Sequence, residues 1–426
     1  MPKPPAVVLF DATRLAFRAW RGAPTGIDRV ALAYARWLWA HPEVELVPVW
    51  CHEGRIRPMD RRLFDLTLKP RKATEPTGDG TWPDLLAALA RADDDTPVLR
   101  PRPQRDDALA AFSWYAEALG RTVAGGAWRR MPPADFYVNV NHYGLGQAGL
   151  LPRVRARGIK PVVMIHDLIP IAHPEYCGPL GAVRHEERMA AVLKHASLVI
   201  ANSQATATDV TAFAEARQLP TPEISVAPLG VEEAFLTPRS AALSKRPYFV
   251  CVGTIEPRKN LTFLLTLWRR LAEQMGEATP RLVIVGRRGW ECESVVDHLE
   301  RSPPIRRFVH EVCDLRDEQL AELIAGATAL LAPSFTEGFD LPSVEALALG
   351  TPVIASDIPA HRELVKEAQL INPVDGLSWL AAIVRAANTP PPRRPQAPPT
   401  WTRHFEIVEQ AMGLRGARDD AGRAAA

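Results

Sequence analysis

Cysteine is scarce in this chain. Cys51, Cys177, Cys251, Cys292 and Cys313 are its five, spread through 426 residues with no C-x-x-C pair, which excludes a disulfide-built fold and a zinc ribbon. An excess of either charge is missing too. Lys plus Arg number 51 and Asp plus Glu 49, a formal net of +2, so no overall field draws the chain to nucleic acid and any anion site must be local. No apolar run approaches the ~18 residues a membrane span needs. The apolar stretch before Asp11 is only five residues long, too short for a signal-peptide core. The expected compartment is the cytoplasm, with attachment to the cytoplasmic face of a membrane left open. Gly-x-x-x-x-Gly-Lys-Ser/Thr, His-Glu-x-x-His and Gly-x-Ser-x-Gly are also absent, so phosphate-loop, zinc-protease and hydrolase-elbow chemistries drop away.

What is present is ordinary globular material with one bias. Hydrophobic residues make up 47% and charged residues 23%, enough apolar surface for sizeable cores, and the length points to about two or three domains. Proline stands out at 40 residues, about 9% against a usual ~5%. Short Val-, Ile- and Leu-rich runs at 6–10, 44–50, 136–140, 161–165, 198–201 and 224–226, then at 248–252, 281–285, 305–309, 329–331 and 352–355, alternate with segments of helical period. That pattern predicts α/β architecture with two doubly wound parallel sheets. A polar, proline-flanked stretch at 235–247 reads as the linker. The expected domains are 1–240, carrying an insertion near 55–133 and completed by a helix at 401–415, and 241–390. Within the insertion a helix is expected at 106–120, Asp93 to Asp95 read as a solvated turn, and the prolines between 97 and 103 have no assigned role. The proline cluster at 390–399 cannot continue a helix and is read as an extended crossing segment.

Four stretches carry candidate chemistry. In Glu337-Gly-Phe-Asp-Leu-Pro-Ser-Val-Glu345, Gly338 lets the backbone turn after a strand, Pro342 starts a helix, and the two carboxylates can face one crevice. Carboxylates beside a helix N-terminus suit a ligand with both hydroxyls and phosphate; the alternative is a pair of solvated helix-start acids. In Gly253-Thr-Ile-Glu-Pro-Arg-Lys-Asn260, Asn260 is the expected N-cap. Arg258 and Lys259 sit just before that helix, where a bound diphosphate would relieve them; the alternative is a solvated basic pair. His166 and Asp167 follow a strand immediately, where His166 is as readily structural as functional, and His173 is read as structural. Thr25-Gly-Ile-Asp-Arg29 places Gly26 at a helix start, without the Gly-x-Gly-x-x-Gly spacing of a nicotinamide fold.

These residues resemble the retaining nucleotide-sugar glycosyltransferases of family four, which have the two-domain GT-B fold. The likeness rests on the Glu-x7-Glu element, on Gly253 to Asn260, on Ser356-Asp-Ile-Pro-Ala-His-Arg-Glu, and in the first half on Thr25-Gly-Ile-Asp-Arg, His166-Asp-Leu-Ile-Pro and Ala201-Asn-Ser. The resemblance implies that Arg258 and Lys259, with Gly26 and Thr254, bind the donor diphosphate. It implies that Glu345 holds the ribose, with Gly338, Phe339 and Leu341 at the nucleotide. Glu337 would contact the transferred sugar, with His166 near its anomeric side. No cofactor and no metal are implied. Thr254 stands where many relatives have arginine, and Asp340 where glycine is common. The overall form looks like bacterial surface-polysaccharide enzymes, several of them mannosyltransferases, which leans toward GDP-mannose as donor and a saccharide or polyprenyl-diphosphate-linked acceptor. A non-catalytic nucleotide-sugar scaffold and a nucleotide-sugar epimerase are the alternatives.

Overall fold

In the computed structural model, which describes residues 4–18, 26–52, 54–68, 82–91, 132–147, 149–237 and 243–414, the short apolar runs become strands of two sheets. The first contains β1 (Ala6–Asp11), β2 (Val44–His52), β3 (Arg55–Pro58), β4 (Phe136–Asn139), β5 (Lys160–Ile165), β6 (Leu198–Ala201) and β7 (Glu223–Val226). Their order is β3-β2-β1-β4-β5-β6-β7. All neighbours are parallel except the edge strand β3, which runs antiparallel to β2. The second contains β8 (Tyr248–Val252), β9 (Arg281–Val285), β10 (Val309–Val312), β11 (Ala329–Ala332), β12 (Val353–Ser356) and β13 (Gln369–Ile371). Its order is β10-β9-β8-β11-β12-β13, parallel throughout.

Central strands buried on both faces explain the continuous apolar runs. Alternate residues enter different cores: Val8 and Phe10 lie in one, and Leu9 between them lies in another, as the two-residue period of a strand requires. One core spans both halves of the chain, joining Phe10, Met164 and Phe235 to Val250, Leu330 and Phe339. Each fully buried side chain of this kind contributes about 1.5–3 kcal/mol of transfer free energy. Strand order reverses between β1 and β4 and again between β8 and β11, which puts a ligand crevice at the carboxyl ends of those strands in each sheet.

The helix Trp401–Met412 returns to the first sheet. Thr400 Oγ1 accepts from the Arg403 amide at 3.1 Å, the His404 ring bonds the Tyr34 hydroxyl at 2.8 Å, and Trp37 stacks on Phe405 with centroids 4.5 Å apart. The proline-rich segment before it crosses by single contacts such as Gln396 N to Leu347 O, 2.9 Å.

Two expectations need correction. The run 305–309 is not a strand: Pro303–Phe308 is a helix opened by proline, with Ile305 and Phe308 buried three residues apart on one face, and the strand is β10, just after it. Asn260 does not cap its helix through its side chain; it adopts a left-handed backbone, φ 55°, and its Nδ2 donates to Pro333 O and Pro373 O at 3.1 and 3.0 Å. The stretch 55–133 also touches the second sheet, because Arg281 at the start of β9 donates to the carbonyls of Ala88, Leu89 and Arg91 at the end of the helix Trp82–Ala90. The expected helix 106–120, Asp93 to Asp95, the prolines between 97 and 103, and Thr25 lie outside the described residues. Among the described residues no helix is long and apolar enough to cross a membrane.

Candidate active site

The carboxyl ends of β8 and β11 bring together the acidic and basic candidates. After β8, a single turn, Pro257–Lys259, carries Arg258 and Lys259 and leads directly into the helix Leu261–Met275, whose N-terminal dipole end opposes nearby cations unless anions pair with them. After β11, the Phe335 amide donates to Arg258 O at 2.9 Å, pinning the two loops side by side. Glu337 is then held by both cations: Arg258 Nη1 reaches its Oε2 at 2.5 Å and Lys259 Nζ its Oε1 at 2.6 Å. Burial opposes its ionisation, but Arg258 and Lys259 outweigh burial and keep its acidity stronger than an ordinary glutamic acid's. Arg258 is also bridged by Glu256. Both cations are paired with carboxylates, Arg258 with Glu256 and Glu337 and Lys259 with Glu337 and Asp340, so the alternative of a solvated basic pair does not describe them.

Asp340 belongs to this network, which accounts for its presence where glycine is common. It tolerates a left-handed backbone, φ 65°, and its side chain does work glycine could not. Asp340 Oδ1 lies 3.5 Å from Lys259 Nζ, and Oδ2 accepts from the Ser343 hydroxyl and lies 3.2 Å from His361 Nε2. Burial disfavours the charged imidazole, yet Asp340 raises the His361 pKa above its ordinary value.

Glu345 follows a different course from Glu337. One turn into the helix Leu341–Ala348 and almost fully buried, it is bonded through Oε1 to Arg29 Nη1 at 2.6 Å. Burial lifts its pKa to about 7, against the pull of Arg29. The two carboxylates of Glu-x7-Glu thus face separate cations, Glu337 two from the second half of the chain and Glu345 one from the first.

The first sheet supplies the opposite wall. His166 follows β5, is buried, and its Nε2 pairs with Val140 O at 2.7 Å; burial lowers its pKa, so the ring is neutral and donates from Nε2. Gly338 sits directly on its backbone: a Cβ there would fall 2.1 Å from His166 O. Asn202 Nδ2 donates to the same carbonyl, and the Ser203 hydroxyl donates to Gly338 O. Tyr176, in the turn Pro174–Tyr176, stacks on Phe335 with centroids 5.3 Å apart and planes 5° from parallel, and on its other neighbour, His173. Glu363 accepts from the amides of Gln204 and Ala205 at the start of the helix Gln204–Ala216. Gly26 is exposed at the start of its helix and faces Leu341. Thr254 is packed against Gly289, and Phe339 is buried in the shared core.

Comparison with known proteins bears on this arrangement. Residues 246–389 match the family model described as glycosyl transferases group 1. The match covers 144 of the 426 residues. The matched stretch begins just before β8 and runs past β13, so it contains Arg258, Lys259, Glu337, Asp340 and Glu345. The serotype-specific mannosyltransferase WbdA of Escherichia coli is 31% identical over 231 residues, covering 50% of this chain and 28% of its own. The O-antigen chain mannosyltransferase B of Escherichia coli is 30% identical over 233 residues, 51% of this chain and 59% of that protein. The chain therefore spans less than two thirds of the length of either relative. The solved structure of Anabaena HepE in complex with UDP-glucose superposes over 96% of both chains at a TM-score of 0.57 with 15% identity, and the shared architecture is the GT-B fold.

The partners of several members of the site had no mark in the sequence. Asp340 and His361 lie within the motifs, but their pairing depends on a left-handed turn. Arg29 is the last residue of Thr25-Gly-Ile-Asp-Arg29, and only the packing of its helix reveals where it reaches. A Gly-x-Gly-x-x-Gly spacing does occur at Gly144, Gly146 and Gly149. It follows β4, where Gly144 packs against Cys51, and leads only into the short helix Leu150–Arg155.

Proposed function

We propose that this chain is a retaining hexosyltransferase of surface-polysaccharide assembly, moving a hexose, with mannose favoured, from a nucleotide diphosphate sugar to a saccharide or polyprenyl-diphosphate-linked acceptor. One observation carries the reading: Arg258 and Lys259 converge on Glu337 in a largely buried constellation at the strand-order reversal of the second sheet, directly against the His166 loop of the first. Curated relatives named as mannosyltransferases support the sugar, and the GT-B architecture supports the donor class.

In this reading the donor diphosphate shares Arg258 and Lys259 with their carboxylates. As the bond between the anomeric carbon and the diphosphate oxygen breaks, negative charge grows on that oxygen, and two fixed cations in a water-poor site stabilise it without reorganising. The acceptor hydroxyl attacks the same face and its proton passes to the departing diphosphate, so configuration is retained. Glu337, oriented by both cations, receives hydroxyls of the transferred sugar, and neutral His166 lies beside the anomeric centre. Glu345 takes the ribose. No resident metal or cofactor enters the scheme.

Purified protein incubated with a panel of GDP- and UDP-sugars and extracted lipid-linked acceptor tests this. Release of nucleoside diphosphate with an axial product linkage, lost in Glu337→Ala, is the expected result. Binding without turnover on any acceptor would leave a scaffold, and donor isomerisation without acceptor would mark an epimerase.

A further inference from the structure

The nucleotide side of this site contains a residue from the other half of the chain. Arg29 lies in the helix Gly26–Ala40 on the first sheet, and its guanidinium crosses to the second. Nη1 bonds Glu345 Oε1 at 2.6 Å, Nη2 pairs with Asp317 on the helix Asp317–Gly326, and the guanidinium stands 5.5 Å over the Phe235 ring.

We propose that Arg29 is a positioning residue of the nucleotide subsite, holding the Glu345 carboxylate in the orientation in which it receives the ribose diol of a nucleoside diphosphate. The inference rests on the glycosyltransferase reading above and extends it to a residue of the first half.

Three features support it. The Arg29 fork is fixed at two points by acids on two different helices and braced by an aromatic face, so its Nη1 fixes where Glu345 Oε1 sits rather than merely neutralising the group. A carboxylate offers about four lone-pair positions on two oxygens. Arg29 engages Oε1, and a vicinal diol can share the remaining positions. The pair is also a poor stability device: Arg29 is 13% exposed at its side chain and Glu345 1%, and burying two ions costs desolvation that an apolar pair would avoid. The charged groups facing Glu345 are Arg29, Asp317 and Glu232. Two are acids that disfavour its ionised form, so Arg29 is the counterweight among them.

The test uses the full chain with GDP and UDP as probes. Calorimetry and donor kinetics between about pH 6 and 9 are compared for wild type, Arg29→Ala, Arg29→Lys and Asp317→Asn. Arg29→Ala should weaken the bound nucleoside diphosphate by about tenfold or more, raise donor KM much more than it lowers kcat, and move the pH at which affinity is half-maximal upward. Arg29→Lys should restore that pH position but only part of the affinity, because a point charge replaces a fork. Asp317→Asn should leave Arg29 charged and free one arm, weakening binding less. If Arg29→Ala fails to fold, Arg29→Lys carries the test alone. Wild-type affinity and pH dependence in Arg29→Ala, or in Arg29→Lys when it stands alone, would overturn the inference while leaving the glycosyltransferase reading intact. Wild-type protein that binds neither nucleotide would bring down both.

Discussion

Gly338 and His166 meet backbone to backbone: the missing Cβ of one would lie 2.1 Å from the carbonyl oxygen of the other. The loop bearing Glu337 and the loop bearing His166 can therefore adjoin only if position 338 has no side chain. Gly338→Ala should push them apart by roughly an ångström, a displacement that costs about 100-fold when it separates reacting groups. Arg258 and Lys259 remain on the second sheet, so donor binding should persist. Single-turnover rates set beside calorimetry check this; an unchanged rate would mean the two loops do not act together.

Glu337 is the shared partner of two cations, but each has another: Glu256 for Arg258 and Asp340 for Lys259. Glu337→Gln should thus leave a folded protein whose cations stay in place. The expected loss is about 100-fold or more in kcat/KM, equivalent to about 2.7 kcal/mol of transition-state stabilisation. A variant as active as wild type would remove Glu337 from the chemistry.

His361 and Asp340 make stability depend on pH in a direction that can be worked out. His361 has a raised folded pKa, so its contribution is fully present below the ordinary 6.5 and lost as pH rises through the folded value. Asp340 is held below its ordinary 3.8, so its contribution is present above 3.8 and lost only in stronger acid. Between about pH 4 and 6.5 both act in full. Urea unfolding of wild type should show stability falling across the neutral range, and His361→Gln should flatten that fall. Parallel curves for the two proteins would refute the pairing.

Sequence reasoning reaches the frame of this molecule because burial on both faces imprints continuous apolar runs. It stops where a side chain's partner comes from distant packing. The 305–309 run has Ile305, Phe308 and Val309 to suggest a strand, but two prolines at 303 and 304 start a helix turn instead, with Arg306 and Arg307 on its exposed side. Arg258, Lys259 and Glu337 stood out as charged groups at strand ends. The left-handed turn at Asp340, which aims its carboxylate at Lys259 and His361, and the reach of Arg29 across to Glu345 depend on geometry that no local spacing encodes.

Glu345 provides the sharpest separation of binding from folding. Burial lifts its pKa to about 7, above the ordinary 4.5, with Arg29 pulling the other way. A raised carboxyl pKa favours the folded protein in the protonated state, so this contribution to stability is full below 4.5 and lost as pH rises through about 7. Receiving a ribose diol has the opposite requirement, because only the ionised group offers all its lone pairs to hydroxyl donors. Donor KM should therefore fall as pH rises through about 7, and well below that value affinity should drop up to about tenfold per pH unit. In Glu345→Gln the donor KM should be higher throughout and lose its inflection near neutrality, whereas the stability slope attributed to His361 should survive. Donor KM measured from about pH 5.5 to 8.5 in both proteins decides the matter. An inflection that remains in Glu345→Gln belongs to another group, and Glu345 would then have no part in holding the nucleotide.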